Sequence, residues 1–135
     1  MTAQNPQDWV TKAERDLGLA RDAFQMDKDY WDLICYHCQQ AAEKFFKAYL
    51  IHFNITFPRT HDLELLLNLM DGHEVLPSDF LEKALAINDY SIQVRYSGFP
   101  FEPSSTDAAD AISIAEIFRL YVLKRIAPSS VDEEE

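Results

Sequence analysis

Basic residues are scarce in this sequence: 12 Lys and Arg stand against 23 Asp and Glu, for a net charge of −11. Four of those acids, Asp132 to Glu135, close the chain, and taking them away leaves −7 on the body. A surface of that sign repels phosphate backbones at long range, which excludes tight, sequence-independent nucleic-acid binding. A local basic pocket, or a basic partner, is compatible with it. Glycine is nearly absent, with three in the chain, and together with long periodic segments this argues against an all-β fold. No apolar run approaches the roughly 18 residues of a membrane span. The start, MTAQNPQDW, has neither a basic n-region nor an apolar stretch, so no signal peptide is read and a cytoplasmic protein is expected.

What the chain does have is a 47% apolar content, enough for a core at this length. It is centred on the stretch from Tyr30 to Phe53, which contains no Gly and no Pro. Trp31, Ile34, Cys35, Cys38, Ala41, Ala42, Phe45, Ala48 and Tyr49 recur at steps of three and four, the period of an amphipathic helix. Phe46, Leu50 and Phe53 add a second stripe, leaving a narrow polar strip of Tyr36, Gln39, Gln40, Glu43 and Lys47. A helix apolar around most of its circumference lies inside a bundle. The fold class is therefore all-α: an antiparallel up-and-down bundle of four to five helices.

Around that centre, residues 1–7 read as a leader and a first helix spans about Asp8 to Met26, with Val10, Ala13, Leu17, Ala20 and Phe24 inward. The short polar Asp27-Lys28-Asp29 turns it back antiparallel. The central helix ends near Asn54, and Pro58 prevents its continuation. A third helix opens at Thr60-His61-Asp62-Leu63, with Thr60 as N-cap, and stops at Asp71-Gly72. A fourth runs from Pro77-Ser78-Asp79 to about Arg95-Tyr96. A last one, capped by Thr106-Asp107, covers about 107 to 126. The domain thus spans 8–126, and 127–135 is an acidic tail expected to be disordered.

Four constellations carry possible chemistry. Cys35 and Cys38 form a CxxC, but a redox site of that type needs a helix N-terminus in a βαβ setting, and a zinc site needs a second ligand pair. Both cysteines read as small core residues, and no metal or cofactor is expected. Glu43 and Lys47, with Lys44 beside them, form either a helix-surface ion pair contributing about 0.3–0.5 kcal/mol, or a strip facing a ligand or second subunit. His61 and Asp62 either cap a helix or present an imidazole where a phosphate could bind. Arg95-Tyr96 sets a fork of donors beside an aromatic and an irregular loop, equipment suited to gripping a phosphate.

Taken together, Trp9 with Ala13 to Leu17, YWDLICYHCQQAAEKFFKAYL, the Pro58-Arg59-Thr60-His61-Asp62-Leu63 run, Arg95-Tyr96 and the alanine-rich last helix resemble the HEPN family, over roughly residues 8–126. The resemblance implies a helical bundle, usually a homodimer, often encoded beside a minimal nucleotidyltransferase as a toxin–antitoxin-like pair. Many HEPN proteins are metal-independent ribonucleases whose motif is Arg, four to six residues, then His. Here no His follows Arg95 at that spacing, and none occurs after His73. The expectation is therefore a non-catalytic member that binds a nucleotide or a nucleotidyltransferase partner. Arg95, His61, Lys44 and Lys47 are the candidate phosphate contacts, Glu43 and Asp62 orient them, and Tyr96 lies beside Arg95. The alternatives are a ribonuclease with a rearranged His61–Arg95 site, and a pure scaffold whose acidic surface matches a basic partner.

Overall fold

The computed structural model describes residues 5–91 and 102–127. Among them are five α-helices and no strand: α1 (Pro6–Gln25), α2 (Trp31–His52), α3 (Leu63–His73), α4 (Phe80–Asn88) and α5 (Ser105–Ile126), with a 3-10 turn at Asp89–Ser91. The all-helical bundle is the expected one, and α2 is its axis, packing against each of the other four helices. From Ile34 to Leu50 it contributes ten buried apolar residues, among them Phe45, Phe46 and Tyr49. Leu17 of α1, Leu66 and Met70 of α3, Ile87 of α4 and Phe118 of α5 close around it. None of the described helices is long and apolar enough to cross a membrane.

Side-chain pairs fix the helix directions. Phe24 meets Trp31, Asp16 meets His37 and Lys44, and Trp9 meets Lys47, so α1 and α2 are antiparallel. Phe46 packs against Phe118, the ring planes tilted, further along, so α5 runs with α2, its start near Cys35 through Asp107. His61, just before α3, lies beside Glu43, and His73 at its end lies beside Phe53. Hence α3 also runs with α2, and the connection between them has to climb back along α2 before α3 begins. Asn88 bonds to Asp62 and Leu63, which sets α4 antiparallel to α3.

The turn that launches this climb is encoded by Asn54. Its φ is +59°, a left-handed value that Asn tolerates better than most residues. The Ile55 N–H donates to Leu50 O at 2.8 Å and the Asn54 N–H to Ile51 O at 3.1 Å, a Schellman closure of α2. Pro58 then keeps the segment extended.

Several boundaries differ from the sequence expectation, each for a local reason. α1 starts at Pro6 rather than Asp8, because Asn5 Oδ1 accepts from the Gln7 N–H and Pro suits the first turn. The N-cap of α3 is Asp62, not Thr60: Asp62 accepts from the Glu64 N–H, and Thr60 supports Asp62. α3 continues through Gly72 to His73. α4 begins at Phe80 and ends at Asn88, with the 3-10 turn after it; the expected end at Arg95-Tyr96 lies outside the described residues. α5 is capped by Ser104 in a reciprocal box with Asp107, not by Thr106. The acidic tail beyond Ala127 is likewise outside the described residues.

Candidate functional site

Three residues of the polar strip of α2 do not face solvent, and Tyr36 and Gln40 are half-buried. Gln39 is fully buried, and Glu43 and Lys47 are 3% and 7% exposed. What covers them is the climbing segment from Asn54 to Asp62 and the ring of Trp9 from α1. The surface-ion-pair reading of Glu43 and Lys47 is thereby corrected: Lys47 Nζ donates to Glu43 Oε2 at 2.8 Å inside the fold. Burying two charges is tolerable only when the remaining donors and acceptors are met. Here they are. Glu43 also accepts from Gln40 Nε2 at 3.3 Å and lies 3.1 and 3.2 Å from His61 Nδ1. Gln39 Nε2 donates to the His61 carbonyl at 3.0 Å.

His61 is therefore gripped twice from α2, once by its backbone and once by its ring. A carboxylate only accepts, so Nδ1 carries the hydrogen, and in the neutral ring Nε2 is an acceptor. The side chain is 66% exposed, so that nitrogen opens to solvent.

On the other side of Glu43, Lys47 forms part of the wall of a cavity of about 620 Å³, between Trp9, Ile51 and the segment Asn54 to Arg59. Lys47 Nζ sits 5.4 Å from the centre of the Trp9 ring and 6.0 Å from that of Phe57, within cation–π range. Arg59 stands at the rim, exposed, and its guanidinium makes no ion pair or hydrogen bond among the described residues. Two cations and two aromatic faces thus line one pocket of a chain carrying −11, with a single carboxylate behind one of the cations. Its volume falls in the range of small-molecule sites, about 300–1,000 Å³.

Of the residues expected from sequence, Glu43, Lys47 and His61 converge. Lys44 points elsewhere: its Nζ donates to Asp16 at 2.6 Å, and His37 Nδ1 meets the other oxygen of the same carboxylate at 2.9 Å. Burial pushes the Asp16 pKa up, but these hydrogen bonds outweigh it and hold the carboxyl below the ordinary value. Asp62 is occupied as the cap of α3. Arg95 and Tyr96 lie outside the described residues. Trp9, Phe57 and Arg59 were not among the expected site residues. Nothing in their spacing pairs them, because the climb of the α2–α3 connection is what brings them together.

The cysteines are the core residues expected: both are free and buried, and burial above all raises the Cys35 thiol to about 12 and the Cys38 thiol further. Among the described residues no group of three or more His, Cys, Asp or Glu is arranged to hold a metal ion.

Comparison with known proteins gives four findings. The family described as HEPN domain matches residues 6–126. The crystal structure of an archaeal HEPN homologue is 31% identical, covers 91% of this chain and 98% of its own, and superposes with a TM-score of 0.75. A crystal structure from Thermus thermophilus shares the fold at a TM-score of 0.78 and 23% identity, over 88% of this chain and 96% of that one. Among curated proteins none matches.

Proposed function

The chain belongs to the HEPN domain family, and from that premise we propose that it is a non-catalytic member that binds a nucleotide in the pocket between Trp9 and Phe57. The observation that carries this reading is the unpaired Arg59 guanidinium at the rim of an aromatic-walled cavity that Lys47 also lines. A guanidinium fork suits a phosphate, which it can meet with two parallel hydrogen bonds. An indole or phenyl face suits a base, since stacking is worth about 1–3 kcal/mol per base and tolerates any base identity. Lys47 is already neutralised by Glu43, so its role is to hold the pocket wall and offer a remaining N–H, while Arg59 supplies the net charge.

Thermal unfolding with a panel of nucleotides at millimolar concentration tests this. A ligand at about ten times its Kd adds roughly 1.4 kcal/mol, a shift of a few degrees for a domain of this size. The wild type should shift and Arg59→Ala should not, with its unliganded Tm unchanged because the side chain is exposed and unpartnered. No shift with any nucleotide, or an equal shift in Arg59→Ala, overturns the assignment. Arg95→Ala in the same panel tests the other phosphate contact expected from sequence.

The family resemblance further supports a homodimer working beside a minimal nucleotidyltransferase in a toxin–antitoxin-like pair. Sedimentation across the micromolar range, and co-purification with such an enzyme, test the two halves of that statement.

One observation favours a second reading. Glu43 orients the His61 ring with Nε2 toward solvent, the arrangement of a general base. An RNA-cleaving site built on His61 would give metal-independent cleavage in chelator, abolished by His61→Ala. Absence of cleavage by micromolar wild type refutes it.

A further inference from the structure

A second feature of the surface lies away from the pocket, at the end of the bundle where α1 turns into α2. Leu19, Met26 and Leu33 are each 52% exposed there and Tyr30 is 40% exposed. These are four of the eight large apolar side chains left in solvent among the described residues, and they are neighbours. With Ala23 and His37 they line a groove of about 230 Å³ running between the two antiparallel helices. Leu19 on α1 and Met26, the residue that caps its end, are seven positions apart, two helical turns or about 10 Å. His37 at its inner end is held by Asp16, which is itself paired to Lys44.

The rim of the groove is acidic. Asp22 stands between Leu19 and Met26 on the same face of α1, and Asp27 and Asp29 lie in the turn; all three are exposed. Asp32, half-buried, accepts from the Leu33 N–H. The cations nearby are Lys28 in the turn, Arg15 one turn before Leu19, Arg21, which is paired to Glu116, and Lys44, which is paired to Asp16. A second copy of this chain seated groove to groove would set the same local acids, Asp22, Asp27 and Asp29, against themselves. A membrane surface with anionic headgroups would be repelled in the same way.

We propose that the α1–α2 groove formed by Leu19, Met26, Tyr30 and Leu33 docks a basic amphipathic helix of a partner protein. Its apolar residues, spaced at i, i+4 and i+7, fill the groove, and its flanking Lys or Arg face Asp22, Asp27 and Asp29. Helix-in-groove docking places the affinity in the apolar anchors, and the charges set orientation and on-rate.

The test uses two labelled peptides of roughly 16 residues with the same leucine stripe, one flanked by Lys and one by Glu, titrated with the full chain by fluorescence anisotropy. The Lys peptide should bind in the micromolar range and weaken with added salt, and the Glu peptide should bind at least tenfold more weakly. Leu19→Ser with Leu33→Ser should cost the Lys peptide at least tenfold with an unchanged circular dichroism spectrum, since both side chains are already half in solvent. Asp22→Lys with Asp29→Lys should reverse the preference between the peptides. Equal binding of the two peptides, no binding below millimolar, or indifference to the leucine pair overturns the proposal. So does self-association of the wild type that the leucine pair abolishes, which would assign the groove to a second copy.

Discussion

Replacing Glu43 by Gln separates a buried ion pair from a surface one, because the two predict costs differing severalfold. The change keeps size and shape and removes one charge. Lys47, 7% exposed, then loses the carboxylate it is paired with. Stripping one partner from a buried pair costs about 3–5 kcal/mol, against about 0.2–1 kcal/mol for an exposed pair. For a chain of this length the larger figure lowers Tm by roughly 10–20 °C. Lys47→Met should cost less, about 1–3 kcal/mol, since Glu43 keeps the His61 and Gln40 hydrogen bonds. The double variant Glu43→Gln, Lys47→Met leaves no bare charge, so its cost should fall below the sum of the singles by about 2 kcal/mol or more. Urea unfolding of the four proteins, with m-values checked for constancy, reads the cycle. A Glu43→Gln cost under about 0.5 kcal/mol, the size of an exposed helix pair, would refute the reasoning.

Three further outcomes follow from the geometry. Asp16 and Glu74 both have folded pKa values below the ordinary ones: burial opposes this, but His37 and Lys44 on Asp16, and Tyr49, Tyr121 and Arg125 on Glu74, outweigh it. Each therefore stabilises the fold above its unfolded pKa, about 3.9 for Asp and 4.3 for Glu, and that contribution is lost as pH falls through the lower folded value. The Tm advantage of wild type over Asp16→Asn should be full at pH 6 and shrink as pH falls below the unfolded value and through the lower folded one; an advantage independent of pH would contradict it. Asn54→Ala should cost about 1 kcal/mol and Asn54→Gly should cost nothing or stabilise slightly, because the left-handed φ penalises Cβ. Equal Tm values for the two would remove the strain argument. Cys35 and Cys38 should resist a thiol reagent at pH 8 in the native state and react fully in denaturant; fast native reaction would show that the central helix opens readily.

The helices were legible because their signals are local. The unbroken run from Tyr30 to Phe53, the alanine stripe of α5 and the three-and-four spacing of α1 each point to one periodicity. Cap positions slipped by one or two residues because Ser, Thr and Asp occur in clusters, and only hydrogen bonding decides between Ser104 and Thr106 or between Thr60 and Asp62. The site was half legible. Glu43 and His61 could be linked through the family pattern, but the burial of Gln39, Glu43 and Lys47 could not. Their residue types read as solvated, and what covers them arrives from Trp9, far earlier in the chain, and from Phe57 beyond the end of the helix. Arg59 has no pattern of its own; it acquires meaning only from the cavity it borders.

The fold and the candidate site depend on the same few bonds. Because α3 runs in the direction of α2, the connection between them must retrace about half the helix as extended chain, with no helical hydrogen bonds of its own. Such a segment needs external anchors. Gln39 to the His61 carbonyl and Glu43 to the His61 ring are two of them, and the Asn54 turn is the third. The segment so anchored forms the outer wall of the pocket and carries Arg59 to its rim. Polar residues in the middle of the central helix are therefore explained by topology, before any ligand is invoked. It follows that variants of Gln39, Glu43 or Asn54 would disturb ligand binding and stability together. Arg59, which contributes to no anchor, is the residue at which the two separate.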